Sequence, residues 1–174
     1  IGADMHSAQR GTNLLDSGAP HYEVYRCADG EYVAVAPIEE KFREILLERL
    51  GIAPTQFPDV ADRAQWPKAK AILAEKFAQR SRQEWCDLFE GSDACFAPVL
   101  SAQEAPNHPH NKVRQTFVEI DGVMQPAPGP RFSRTVPPPP RSSQQCTGDT
   151  GQLLAAWNID SGSIAALRQA GVIK

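Results

Sequence analysis

The chain has 174 residues, 41% of them apolar, with a formal net charge of -3. That length allows one ordinary domain with a real core, or a small domain with appendages. No Lys/Arg block exceeds isolated pairs and no apolar run approaches a membrane span, so neither nucleic acid nor a membrane is expected as a partner.

Fifteen prolines and twelve glycines are unevenly placed, which suggests a folded centre with extended flanks. The first residues, Ile1-Gly-Ala-Asp-Met-His6, lack the basic and apolar regions of a secretory signal, and Gly171-Val-Ile-Lys174 carries no lipidation or peroxisomal address. The cysteines Cys27, Cys86, Cys95 and Cys146 are far apart and form no CxxC pair. They read as buried or idle thiols, and the cytoplasm is the expected compartment.

In chain order, residues 1–20 show no period and read as an extended connector. Tyr22 to Arg26 alternates and is rich in aromatics, a strand signal, and Tyr32 to Ile38 is a second strand. The turn Ala28-Asp29-Gly30 joins them as a hairpin. Glu40 to Leu50 places Phe42, Ile45, Leu46 and Leu50 at helical spacing, with Gly51 as the stop. A second helix is predicted from Trp66-Pro67 to Gln79, with proline at its opening. A third runs from Ser81 to Phe89, where Ser81 and Glu84 make a capping box and Trp85, Leu88 and Phe89 form the buried stripe.

Cys95 to Leu100 reads as an edge strand, since Pro98 cannot donate to a ladder. Asn107 to Asn111 reads as a loop, and Thr116 to Met124 as a hairpin around Asp121-Gly122. Pro126 to Pro140 holds seven of the fifteen prolines and must be largely extended. Two short helices close the chain, Thr150 to Trp157 and Ser161 to Ala170, stopped by Gly171. They are weakly amphipathic and need a partner surface. The fold class is therefore α+β: a small domain with a β-hairpin and three helices, flanked by linkers and C-terminal helices.

Glu39 ends a short, mostly apolar segment, Val33-Ala-Val-Ala-Pro-Ile38, on a carboxylate. A carboxylate walled by apolar groups has a raised pKa and suits proton transfer. On residue pattern alone the plainer reading prevails, in which Glu39 and Glu40 serve the dipole of the following helix. His108-Pro-His110 lacks a third ligand at useful spacing, and no metal site is expected. His6 and His21 could each serve as a base, but neither has a recognisable partner. Cys27 and Cys95 sit in no catalytic signature and read as packing. Asp16-Ser17-Gly18 forms either an anion-binding turn or a plain tight turn, which pattern cannot separate.

Taken together, Arg10-Gly-Thr-Asn-Leu-Leu-Asp-Ser-Gly-Ala-Pro-His-Tyr22, Ala28-Asp-Gly30, Val35-Ala-Pro-Ile-Glu39, Trp66-Pro67, Glu84-Trp-Cys86, Ser92-Asp-Ala-Cys95, Ala97-Pro-Val-Leu100 and Pro109-His-Asn111 resemble the α-methylacyl-CoA racemases of the family III CoA-transferase superfamily. The tail, Ile164 to Ile173, resembles the usual C-terminus of that superfamily. The resemblance implies the C-terminal part of an enzyme that interconverts the R and S forms of 2-methylacyl-CoA thioesters through an enolate. The CoA thioester is then substrate, and no cofactor is implied. It also implies interlocked homodimers, with a Rossmann-like large domain that this chain would lack. On that template residues 1–22 are a connector from the large domain, 23–108 the small domain, 109–148 the return linker, and 149–174 helices that dock on the large domain.

The resemblance reverses the reading of Glu39, which matches the family's glutamate base. A His/Asp pair would supply the other base, but no segment of this chain resembles it, and neither His6 nor Asp16 takes that role. Leu15, Tyr22 and Ile38 align near the acyl chain. Ser17, His21, Ala36-Pro37 and Glu40-Lys41 depart from the family pattern, which bears on the acyl substrate rather than on the superfamily. The same resemblance admits CoA transfer between carboxylic acids by a nucleophilic Asp outside this chain. A non-enzymatic dimerisation module is the remaining alternative. On the racemase reading the isolated chain is expected to be inactive.

Overall fold

The computed structural model describes residues 6–142 and 149–173. The fold is mixed α+β, and the chain divides into two compact units, Ile1–Ser101 and Ala102–Lys174.

In the first unit β1 (Glu23–Arg26), β2 (Tyr32–Val35) and β3 (Phe96–Pro98) form an antiparallel sheet in the order β1-β2-β3. The expected hairpin is present, with Glu23 opposite Val35 and Arg26 opposite Tyr32. β3 lies at an edge, where the missing donor of Pro98 costs nothing. Alternation sends Tyr25, Val33 and Val35 into the core, while Val24, Tyr32 and Ala97 stay exposed on the other face.

Helices α1 (Glu40–Leu50), α2 (Trp66–Phe77) and α3 (Arg82–Phe89) supply the rest of this core. α1 has the bounds its spacing predicts, and Gly51 ends it in the left-handed region at φ 66°, where glycine carries no Cβ penalty. α3 opens on the expected capping box: Ser81 Oγ accepts the Glu84 N–H, and Glu84 Oε2 accepts the Ser81 N–H at 2.8 Å.

The core centres on Phe77. Its ring stacks on Tyr25 at 5.2 Å, meets Trp85 edge-on at 5.3 Å and lies 6.5 Å from Phe96, so one side chain joins β1, α2, α3 and β3. The Trp85 indole N–H also donates to the Phe77 carbonyl at 2.9 Å. That bond satisfies a carbonyl that the C-terminal end of α2 leaves without a helical partner.

Three features differ from the sequence reading. β2 stops at Val35 instead of running to Ile38. Pro37 has no N–H to give a ladder, and the Ile38 N–H turns back onto the Ala36 carbonyl at 2.9 Å. Residues 6–20 are a succession of turns instead of an extended connector. Asn13 is buried at their centre: its Oδ1 accepts the Ser7 N–H at 2.7 Å, its Nδ2 donates to Asp16 Oδ2 at 2.7 Å, and its own N–H donates to Asp16 Oδ1 at 2.7 Å. The Gly18 N–H closes the knot on the Asn13 carbonyl, and a Cβ at Gly18 would stand 2.2 Å from that oxygen. Only glycine fits there.

The third difference is in the second unit. Residues 107–111, expected as a loop, end a 3-10 turn (Ala105–Asn107) and begin the short helix α4 (Pro109–Val113). Pro109 at the helix opening and a bond from Asn111 Nδ2 to the Ala105 carbonyl at 2.8 Å account for it. β4 (Phe117–Ile120) and β5 (Val123–Pro126) make the expected hairpin, with positive φ at Asp121 and Gly122 as a two-residue turn of the primed type requires. No helix or strand is formed in residues 127–142. α5 (Thr150–Ala156) and α6 (Ser161–Gln169) are N-capped by Asp149 and Asp160, and Arg168 joins them through Asp149 at 2.6 Å. Leu153 and Trp157 remain exposed. Cys146, and the linker residues 143–148 around it, lie outside the described residues. Among the described residues no helix is long and apolar enough to cross a membrane.

Removing the central ring tests this account of the core. Phe77→Ala should destabilise the chain by about 3–5 kcal/mol, read from the midpoint of chemical unfolding. A loss below about 1 kcal/mol would show that the rings around Phe77 hold the sheet and helices together without it.

Candidate functional site

Glu39 stands where β2 gives way to α1, and four successive hydrogen bonds fix that corner. The Ala36 N–H donates to the Cys95 carbonyl at 2.9 Å, and the Ile38 N–H to the Ala36 carbonyl. Arg43 Nη1 then donates to the Ile38 carbonyl at 2.5 Å, and the Arg43 N–H to the Glu39 carbonyl at 3.1 Å. Pro37, fully buried, anchors the corner from beneath.

The Glu39 side chain is left uncommitted. Glu39 occupies the N-cap position of α1 with extended backbone, but its carboxylate accepts no cap hydrogen bond. Among the described residues no hydrogen bond or ion pair engages it. The plainer reading, an acid spent on starting a helix, therefore lacks its contact, and Glu40 is the acid in the first turn. Glu39 is exposed, so the apolar wall suggested by the sequence is not closed around it by the described residues. The exposed Cys95 lies within electrostatic reach: its thiol is pushed up first by desolvation and then by the Glu39 charge. The expectation that Cys95 is buried in packing is thus overturned, whereas Cys27 is buried as expected.

Tyr22 and Ile38 flank the hairpin end that carries Glu39, the first just before β1 and the second just after β2. The pairing of Glu23 with Val35 brings these two chain ends together. Tyr22 is half-buried, and Ile38 is 38% exposed. Leu15 protrudes from the turn knot at 59% exposure. The hydrogen bonds that tie the knot to the sheet run through other residues. Lys70 on α2 reaches both the Ser17 carbonyl and Glu23, and the Tyr25 hydroxyl donates to the Pro20 carbonyl at 2.6 Å.

The Asp16 carboxylate faces into its own turn, and the bonds from Asn13 hold it below the usual carboxylate range. Asp16-Ser17-Gly18 is a tight turn closed on Asn13, with Ser17 at φ 70°. His6 and His110 are exposed, and His108 caps α4 only through its backbone. Among the described residues no group of three or more His, Cys, Asp and Glu converges as a metal site would require.

Two residues that sequence reasoning passed over prove central here. Arg43 braces the Ile38 and Glu39 carbonyls, and its only signal was its place four residues after Glu39, in the first turns of α1. Lys70 latches the knot to the sheet, across a separation no local pattern reveals. His21, undecided from sequence, is 5% exposed, and its Nδ1 is buried with no hydrogen-bond partner among the described residues. Burial, reinforced by the nearby Arg43 charge, lowers its pKa to about 4, so the imidazole is neutral at pH 7.

Residues 3–147 match the family described as CoA-transferase family III. The chain belongs to that family. It is 38% identical over 168 residues to an alpha-methylacyl-CoA racemase of Mus musculus, covering 95% of this chain and 44% of the relative. It is 43% identical over 127 residues to the Homo sapiens protein of the same name, covering 71% and 33%. A CaiB/baiF CoA-transferase family protein of Caenorhabditis elegans is 29% identical over 119 residues, covering 68% of this chain and 33% of its own. The chain thus spans less than half the length of the curated relatives it matches. A crystal structure of a hypothetical protein from Mycobacterium tuberculosis superposes with a TM-score of 0.57 at 15% identity, over 76% of this chain and 40% of its own. At that identity the likeness is one of fold, and it places this family III chain among known folds.

His21 supplies a pH test. Its folded pKa lies below its ordinary 6.5, so the unfolded chain takes up the proton first as pH falls. The neutral imidazole's contribution is complete above pH 6.5 and declines between 6.5 and about 4. Unfolding free energy should fall on the order of 2 kcal/mol more across that window in the wild type than in His21→Phe. Equal slopes in the two proteins would contradict a buried neutral His21.

Proposed function

We propose that this chain is the C-terminal part of an acyl-CoA racemase that epimerises the α-carbon of 2-methylacyl-CoA thioesters by 1,1-proton transfer. The observation that carries the reading is the uncommitted Glu39 carboxylate on a braced corner, in a chain 38–43% identical to two proteins named alpha-methylacyl-CoA racemase. The thioester carbonyl acidifies the α-proton. Glu39 takes it from one face, the electron pair left on carbon delocalises into the thioester as an enolate, and an acid on the opposite face returns a proton with inverted configuration. The carbonyl supplies the acidity, so the reaction as proposed calls on no cofactor.

The second acid/base, the His/Asp pair that the resemblance implies, would come from a large domain outside this chain. In the complete protein that domain would belong to the opposite subunit of an interlocked homodimer and would cover Glu39, excluding water from it. Leu15, Tyr22 and Ile38, each exposed or half-buried here, would then meet the acyl chain. The isolated chain would be inactive. CoA transfer between acids is the second reading, favoured by the name of the Caenorhabditis elegans relative. At 29% identity that relative lends this reading less support than the racemase-named relatives lend the first.

When the chain is assembled with a large-domain polypeptide, α-proton exchange with solvent deuterium should appear, and Glu39→Gln should lower it roughly 100-fold or more. Exchange unaffected by the substitution would remove Glu39 from the mechanism. Transfer of CoA to a free acid without α-exchange would favour the second reading.

A further inference from the structure

We propose that Arg43 is the positioning residue of Glu39, holding the corner that carries the carboxylate in the geometry proton transfer needs. The role rests on the racemase reading. The grip beneath it is visible in this chain alone.

Arg43 contacts the corner twice. Its backbone N–H bonds the Glu39 carbonyl as part of the first helical turn, an interaction any residue could make. Its guanidinium bonds the Ile38 carbonyl at 2.5 Å, an interaction that needs this side chain. The two bonds hold the carbonyls of the peptide units before and after the Glu39 Cα, so neither plane can rotate without breaking its bond. A charged donor on a neutral carbonyl is shorter and stronger than an ordinary amide bond, which suits a brace in a partly exposed place. Among the described residues no ion pair joins Arg43 to Glu39 itself, so Arg43 acts through the backbone and leaves the carboxylate open.

The surroundings reinforce the grip. Below the corner, Pro37 is fully buried and Ala36 is tied to Cys95, so the strand side is fixed. His21 lies within electrostatic reach of Arg43 and is buried. A charged imidazole there would repel the guanidinium, and a neutral one leaves the grip intact. A base must be held within about 0.5 Å of its productive position for the full benefit of orientation. Glu39 leads into the corner from an irregular segment, and the Arg43 side chain is what closes that segment against the helix.

Two measurements test this. In the chain alone, hydrogen–deuterium exchange of the amides of residues 38–43 should speed up about 10-fold or more in Arg43→Met, with the amides of β1 and α3 unchanged. Unaltered exchange at 38–43 overturns the brace. In the assembled racemase, Arg43→Met should slow α-proton exchange with solvent deuterium about 10–100-fold for the enantiomer whose α-proton faces Glu39, with KM within about twofold and exchange of the other enantiomer retained, while racemisation slows equally in both directions. Arg43→Lys, which keeps a charged donor, should recover part of the loss. Equal loss of α-proton exchange for both enantiomers, or a change in KM alone, overturns the positioning role. Wild-type assembly without α-exchange overturns the racemase reading and this role with it, whereas wild-type exchange matched by Arg43→Met overturns the role alone.

Discussion

The contact between the Phe77 ring and the rings of Tyr25, Trp85 and Phe96 is the interaction on which the rest of the first unit depends. A three-stranded sheet of such short strands has too little surface of its own to be stable without packed helices. Phe77, at the end of α2, is where the sheet and two helices meet one aromatic group. The indole-to-carbonyl bond from Trp85 makes the same junction specific in direction as well as in volume. With β1, β2 and β3 pinned there, the pairing of Glu23 with Val35 fixes where β2 ends. It also fixes where the corner carrying Glu39 begins.

From that point the local chemistry is polar. Pro37 withholds a donor and breaks the ladder, and the freed groups of residues 36–39 find partners in Cys95, Ala36 and Arg43. The result is a corner whose backbone is bonded at Ala36, at Ile38 and at the Glu39 carbonyl, and whose one carboxylate is not bonded. The turn knot around Asn13, which precedes β1 in the chain, follows the same logic. Its backbone groups are absorbed by Asn13 and Asp16, and it is tied down by Lys70 and Tyr25. Both are irregular segments held by named side chains. That is how a rigid scaffold presents functional groups on loops.

Most of the regular structure was legible in the residues. α1, the capping box of α3, the Pro98 edge strand and the Asp121-Gly122 hairpin all follow from local signals, because apolar spacing, caps and turn residues act over a few positions. What was not legible is what tertiary contacts decide. The knot at residues 6–20 depends on one buried asparagine, and a polar, glycine-containing stretch has the same composition as an extended linker. Cysteine is usually buried, which makes Cys95 read as packing, yet it is exposed just before β3 and within electrostatic reach of Glu39. The helix at Pro109 was hidden by a His-Pro-His string that resembles a loop.

The site was legible only in part. Pattern alone preferred a helix-starting role for Glu39, and the resemblance to a family reversed that. The braced corner supports the reversal by leaving the carboxylate without a structural duty. Arg43 was invisible because its partners are backbone carbonyls, which leave no trace in side-chain composition, and Lys70 because Ser17 and Glu23 lie 53 and 47 residues away in the chain. A crystal structure of the chain assembled with a large-domain polypeptide and a 2-methylacyl-CoA tests the central claim most directly. The Glu39 carboxylate should lie about 3–3.5 Å from the α-carbon, on the face opposite the second base. A carboxylate more than about 6 Å from that carbon, with Arg43 still on the Ile38 carbonyl, would contradict it.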